Sequence, residues 1–153
     1  MTSKAAQQRI IVGVDGSHAS IEALRHAERL AAEHGAVVEA TACWEYSNLY
    51  DAYAALGIER PKDEAHQVLT EAIINAFGPV PPGNVTPVLV RGDARRLLIE
   101  SSKNAAMLVL GNRGHGGFMG LRLGSVTAAC VAHAHCPVLV VHANDEILAP
   151  AED

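Results

Sequence analysis

The chain is poor in features that would assign it to a specialised class. Aromatic residues make up only 4% of its 153 residues, and there are three cysteines. No apolar run approaches the roughly 18 residues that a membrane-spanning helix needs. Cys43, Cys130 and Cys136 are odd in number and form no C-x-x-C pair, which argues against a disulfide framework and for reduced, mostly buried thiols. The formal net charge is -5, with no run rich in Lys and Arg. The cationic face that neutralises a nucleic-acid backbone is therefore missing. The opening Met-Thr-Ser-Lys-Ala-Ala-Gln-Gln lacks the apolar core of a signal peptide. The expectation is a cytoplasmic protein with neither nucleic acid nor membrane as a partner.

Hydrophobic residues make up 49% of the chain and charged residues 19%, an ordinary globular balance. A chain of this length fits one domain, burying roughly 68–70% of its unfolded surface. Ile10 to Val14 is a β-branched run bounded by Asp15-Gly16-Ser17, a first strand buried on both faces. Ser17 or Ser20 can cap the helix that follows, where Ile21, Ala23, Leu24, Ala27, Leu30 and Ala31 recur at helical spacing until Gly35. Ala36 to Trp44 reads as the second strand. Lys62 to Phe77 is the cleanest helix, ended by Gly78-Pro79. Val85 to Val90 is a third strand, and Pro87 within it cannot donate to a ladder, which places this strand at an edge. Asp93 should cap a short helix reaching about Lys103, with Leu97, Leu98 and Ser101 on its inner face. Met107 to Leu110 is the fourth strand. Ser125 to about His135 is the last helix, with Val126, Ala129, Cys130 and His133 on one stripe, and Val138 to Val141 is the fifth strand. Residues 1–8 and the acidic 144–153 read as tails around a domain spanning 9–143.

Between the second strand and the next helix, Trp44, Tyr46, Tyr50 and Tyr53 gather in ten positions. They suit either a lid over a pocket or a loop packed on its own aromatics. The densest signal lies elsewhere. Six of the 13 glycines fall between Gly111 and Gly124, directly after the fourth strand. Such a loop lets backbone N–H groups converge on an anion, although glycine count alone also fits a plain surface connection. Two features favour the anion. Ser125 is expected as the N-cap of the next helix, whose first-turn N–H groups then point outward. No acidic residue occurs between Glu100 and Asp145, while Lys103, Arg113 and Arg122 do. The segment is locally cationic within an acidic chain, which suits a polyphosphate. It is not a Walker loop, because no lysine precedes Ser125.

The spacing Gly111-x2-Gly114-x9-Gly124-Ser125, together with Val14-Asp15-Gly16-Ser17, resembles the ATP-binding branch of the universal stress proteins, over Ile10 to Val141. The alternating elements already imply an α/β domain with a parallel sheet and right-handed crossovers. The resemblance implies a single Rossmann-like domain with helices on both faces and five strands ordered 3-2-1-4-5. In that order strands one and four diverge, so their ends open the ligand crevice with Asp15 and Gly111 facing each other across it. By resemblance, Asp15 meets the ribose side of ATP, Cys43 meets adenine through its backbone, and Gly111, Gly114, Gly124, Ser125 and Val126 line ribose and phosphates. Gly13 and Ser17, flanking the aspartate, belong to the same expected site. Arg113, His115 and Arg122 could screen phosphate charge, although exposed basic residues are usually just solvated. Asp15 standing alone would more simply cap the next helix, or it could hold a magnesium-bound water. No protein metal site is expected, since His133 and His135 are two apart and fall on different helix faces. Asn112 and Ala106 depart from the family's usual serine or threonine and aspartate.

The resulting expectation is an ATP-binding, nucleotide-dependent regulator of a stress response. It should have an unidentified protein partner and form a homodimer through the edge strand Val138–Val141. The alternatives are a slow ATPase or nucleotidyl transferase, or a nucleotide-free interaction module. No general base or nucleophile neighbours the loop, so at most slow hydrolysis is expected.

Overall fold

The structure, a computed structural model, describes residues 7–45, 55–57, 61–113 and 123–143. The tails 1–6 and 144–153, the tyrosines Tyr46, Tyr50 and Tyr53, and the loop positions Gly114, His115 and Arg122 lie outside the described residues. Among those described, the elements run β1 (Arg9–Gly13), α1 (His18–His34), β2 (Val37–Trp44), α2 (Pro61–Phe77), β3 (Val85–Arg91), α3 (Ala94–Ser101), a 3-10 turn (Ser102–Asn104), β4 (Met107–Gly111), α4 (Ser125–His133) and β5 (Val138–Val141).

All strand pairs are parallel, in the order β3-β2-β1-β4-β5. Strand β3 lies at the edge that Pro87 required, and β5 forms the other. Alternation along the strands sorts the core into two faces. Ile10 and Val12 of β1 join Val38, Ala40 and Ala42 of β2 and Val109 of β4 in one apolar cluster with α1 and α2. Ile11, Leu108 and Leu110 join Leu98 of α3 and Cys130 of α4 in the other. Helices thus cover both faces of one sheet, as parallel strands buried on both sides demand.

Local chemistry sets the element ends. The Ser17 side chain accepts from Ser20 N, and Gly35 closes α1 in the left-handed region at φ 64° with its N–H bonded to Ala31 O. Ala23, Leu24, Ala27 and Ala31 are wholly buried, so α1 lies on the sheet along a mostly alanine stripe. Arg25 reaches from α1 to the carbonyls of Asn75 at 2.8 Å and Ala76 at 3.2 Å, satisfying the last turn of α2. Asp93 caps α3 through Arg96 N as expected. That helix ends at Ser101, short of Lys103, and Leu98 is its buried residue. The chain tightens there into the 3-10 turn. Buried Ser102 donates to Ile99 O at 2.5 Å and accepts from His135 N at 2.9 Å, tying the turn to the end of α4.

The last helix corrects the sequence reading twice. Gly124, not Ser125, is the N-cap: it is extended at φ -67° and ψ 164°, and its carbonyl accepts from Ala128 N, so the first helical ring closes on Gly124. The inner stripe also differs, for the buried residues are Thr127 and Cys130, while His133 is exposed. Apolar residues surround α4, so their spacing could not single out a face.

Candidate functional site

Strands β1 and β4 are neighbours whose connections leave in opposite directions, and a cleft of about 780 Å³ opens at their carboxyl ends. This volume lies within the range typical of small-molecule sites.

On the β1 side the chain turns sharply. Val14 N donates to Thr41 O at 2.8 Å, Gly16 takes φ 82°, and Asp15 Oδ1 accepts from Ser17 N at 2.9 Å. Asp15 therefore shapes the turn while Ser17 supplies the helix cap, and the Asp15 side chain remains on the exposed rim of the cleft. Ser17 is buried, and its hydroxyl is committed to Ser20 N at 3.2 Å.

On the β4 side the glycine loop is fastened at its neck. Asn112 N donates to Val141 O at 2.9 Å, and Gly124 N donates to Asn112 O at 2.8 Å. Thr127 Oγ1 donates to Gly111 O at 2.7 Å. These bonds fix the start of α4 against the end of β4. Gly111 has a packing role as well: a Cβ there would stand 2.6 Å from Ala19 Cβ, 2.7 Å from Ala19 C and 2.9 Å from Ser20 N. Its missing side chain lets the start of α1 reach β4. At Gly13 an added Cβ would meet Leu110 Cδ2 at 2.6 Å and Leu98 Cδ1 at 3.2 Å.

The N–H groups of Ser125, Val126 and Thr127 belong to the first turn of α4, where a helix has no carbonyls of its own to offer. All three residues line the cleft, beside Gly111 and Arg113. Asp15, Glu45 and Glu64 line it as well. The lining thus carries first-turn donors and a cation as well as carboxylates. Cys43, also in the lining, has its thiol pushed up to about 11 by burial first and then by Asp93, which keeps it neutral and a poor nucleophile.

Of the expected site residues, Gly13, Asp15, Ser17, Cys43, Gly111, Arg113, Gly124, Ser125 and Val126 line this one cleft. Gly114 and His115 lie outside the described residues. Sequence reasoning missed Thr127, whose hydroxyl two positions after Ser125 was the available signal. It also missed the wall that α2 supplies through Glu64, Ala65 and Val68. Among the described residues no group of three metal-ligating side chains occurs, and no helix is long and apolar enough to cross a membrane.

Residues 7–142 match the universal stress protein family. A universal stress protein of Mycolicibacterium smegmatis is 30% identical over 156 residues, covering 95% of this chain and 52% of its own. The chain therefore spans about half the length of the curated relatives it matches. Among solved structures, the universal stress protein UspA from Lactobacillus plantarum superposes with a TM-score of 0.71 at 21% identity, covering 90% of this chain and 99% of its own. A universal stress protein crystallised in complex with cAMP gives 0.56 at 26% identity, covering 90% and 98%. Sheet order, glycine loop and family match agree: the chain belongs to the universal stress protein family.

Proposed function

We propose that this protein binds an adenine nucleotide, ATP foremost, in the cleft between β1 and β4, and acts as a cytoplasmic nucleotide-dependent regulator. The observation that carries this reading is the meeting of the α4 first turn, the Gly111–Arg113 segment and Asp15 around one cleft of about 780 Å³. Phosphates would sit on the first-turn N–H groups of Ser125, Val126 and Thr127, where the helix dipole and unpaired donors favour an anion. Gly114, Arg113 and His115 would complete that cradle from the loop. The ribose would lie toward Asp15, which could also accept from a magnesium-bound water. Adenine would lie toward Cys43, at the end of β2. The relative crystallised with cAMP supports an adenine nucleotide as the ligand class.

The same reading includes a homodimer through β5, and a protein partner that senses the bound state. Turnover would be slow, since the described lining supplies binding groups, no lysine precedes Ser125 and no carboxylate ends β4. Mass spectrometry of gently purified protein tests it: a co-purified adenine nucleotide is expected. A protein that emerges without one and binds none on addition would leave an interaction module with no nucleotide role.

A further inference from the structure

Trp44 is the chain's one tryptophan and closes β2, which β1 separates from β4 in the sheet. Its register partner across the sheet is Arg91, the last residue of β3. Parallel partners project from the same face, and the Arg91 guanidinium carbon stands 5.8 Å over the indole centroid. That is within cation–π range, so the ring is held from one side by a cation. Trp44 is also one of the residues lining the cleft, together with Ala65 and Val68 of α2.

We infer that Trp44, held by Arg91, is the stacking plate for the nucleobase and makes the site select base-bearing phosphates over bare polyphosphate. This rests on the nucleotide reading above and deepens it. The phosphate end of the cleft is fixed at the first turn of α4, beside β4. From β4 across β1 to β2 is two strand spacings, about 10 Å, a gap of the size that a ribose bridges between base and phosphates. The base therefore arrives at the end of β2, where Trp44 and the apolar side chains of α2 form the wall. A flat indole already restrained by Arg91 loses little freedom when a base settles on it, which is how a preorganised aromatic contributes affinity.

Because no second tryptophan exists, fluorescence excited at the red edge, where the three tyrosines do not absorb, reports on this ring alone. In wild-type protein, ATP is expected to change the fluorescence and inorganic tripolyphosphate is not. By calorimetry, Trp44→Leu should bind ATP about tenfold or more weakly, ~1.4 kcal/mol, while its affinity for tripolyphosphate shifts less than about twofold on the same scale. Trp44→Phe should recover most of the loss. Unchanged fluorescence on ATP binding overturns the inference but leaves nucleotide binding standing. So does a Trp44→Leu protein that binds ATP normally or loses tripolyphosphate equally. Wild-type protein that binds neither ligand overturns the nucleotide reading and this inference together.

Discussion

Gly111 and Gly13 both lie at strand ends in the cleft, yet a methyl group should cost very different amounts at the two positions. At Gly111 the nearest atoms include the backbone of Ala19 and Ser20, which cannot yield without moving the start of α1. At Gly13 they are the ends of the Leu110 and Leu98 side chains, which can rotate. Gly111→Ala is expected to lose about 2–3 kcal/mol or more in denaturant unfolding, in the upper part of the overpacking range, and Gly13→Ala about 1 kcal/mol. Equal losses would mean that α1 does not rest on Gly111. The thiols give a pH signature. Burial pushes both Cys43 and Cys130 from 9.0 up to about 11. Below pH 9 the folded and unfolded chains both keep these protons, and the thiols' contribution to stability is fully present. Between 9 and 11 the unfolded chain releases protons that the folded chain retains, so stability falls as pH rises. For Cys130, which is 0% exposed, the loss should be on the order of 1–2 kcal/mol. Urea midpoints across this range should fall less steeply in Cys130→Ala than in wild type. Parallel slopes would contradict the assignment.

At the level of elements, the bonds at the neck of the glycine loop make a specific demand on Thr127. Its hydroxyl on Gly111 O holds the α4 first turn at the end of β4, so Thr127→Val should weaken ATP about tenfold or more, ~1.4 kcal/mol, while Thr127→Ser retains binding. Titration of both folded variants decides this, and equal affinity in Thr127→Val would show that the clamp is idle. Strand β5 is the other opportunity: among the described residues, Val138 to Val141 forms a sheet edge with only β4 beside it. An unpaired edge of this composition is a template for a second copy. Sedimentation should show a dimer at micromolar concentration that Val140→Pro dissociates without unfolding the chain, and a monomeric wild type would end that proposal. Much at this scale was legible in the sequence. Ser17, Gly35 and Asp93 announced their caps chemically, and Pro87 announced an edge. The start of α4 was not legible, because Gly124 becomes the cap through a bond to Asn112 across the loop, a contact that local preference cannot anticipate. Its inner face was hidden for another reason: in a helix with apolar residues on all sides, the buried threonine was the informative residue.

For the whole molecule, strand order determines which distant residues meet. The strong βα alternation made the fold class readable, and the family resemblance supplied the order in which β1 lies beside β4. That adjacency brings Asp15 to Gly111 across nearly a hundred residues of chain. The wall from α2 and the Trp44–Arg91 pair came only from packing, since nothing in the spacing of Glu64, Ala65 or Arg91 points to a cleft. The central claim is that phosphates rest on the first turn of α4, and Gly124 offers a direct test. Its backbone at φ -67° suits any residue, and aspartate is a favoured N-cap, so Gly124→Asp should fold with stability equal to wild type or higher by a few tenths of a kcal/mol. The same carboxylate would occupy the first-turn N–H groups and repel phosphate. Calorimetric titration of ATP into the folded variant is therefore predicted to show affinity weakened by well over tenfold, ~1.4 kcal/mol. ATP binding at wild-type strength in that variant would contradict the account and place the nucleotide somewhere other than this loop.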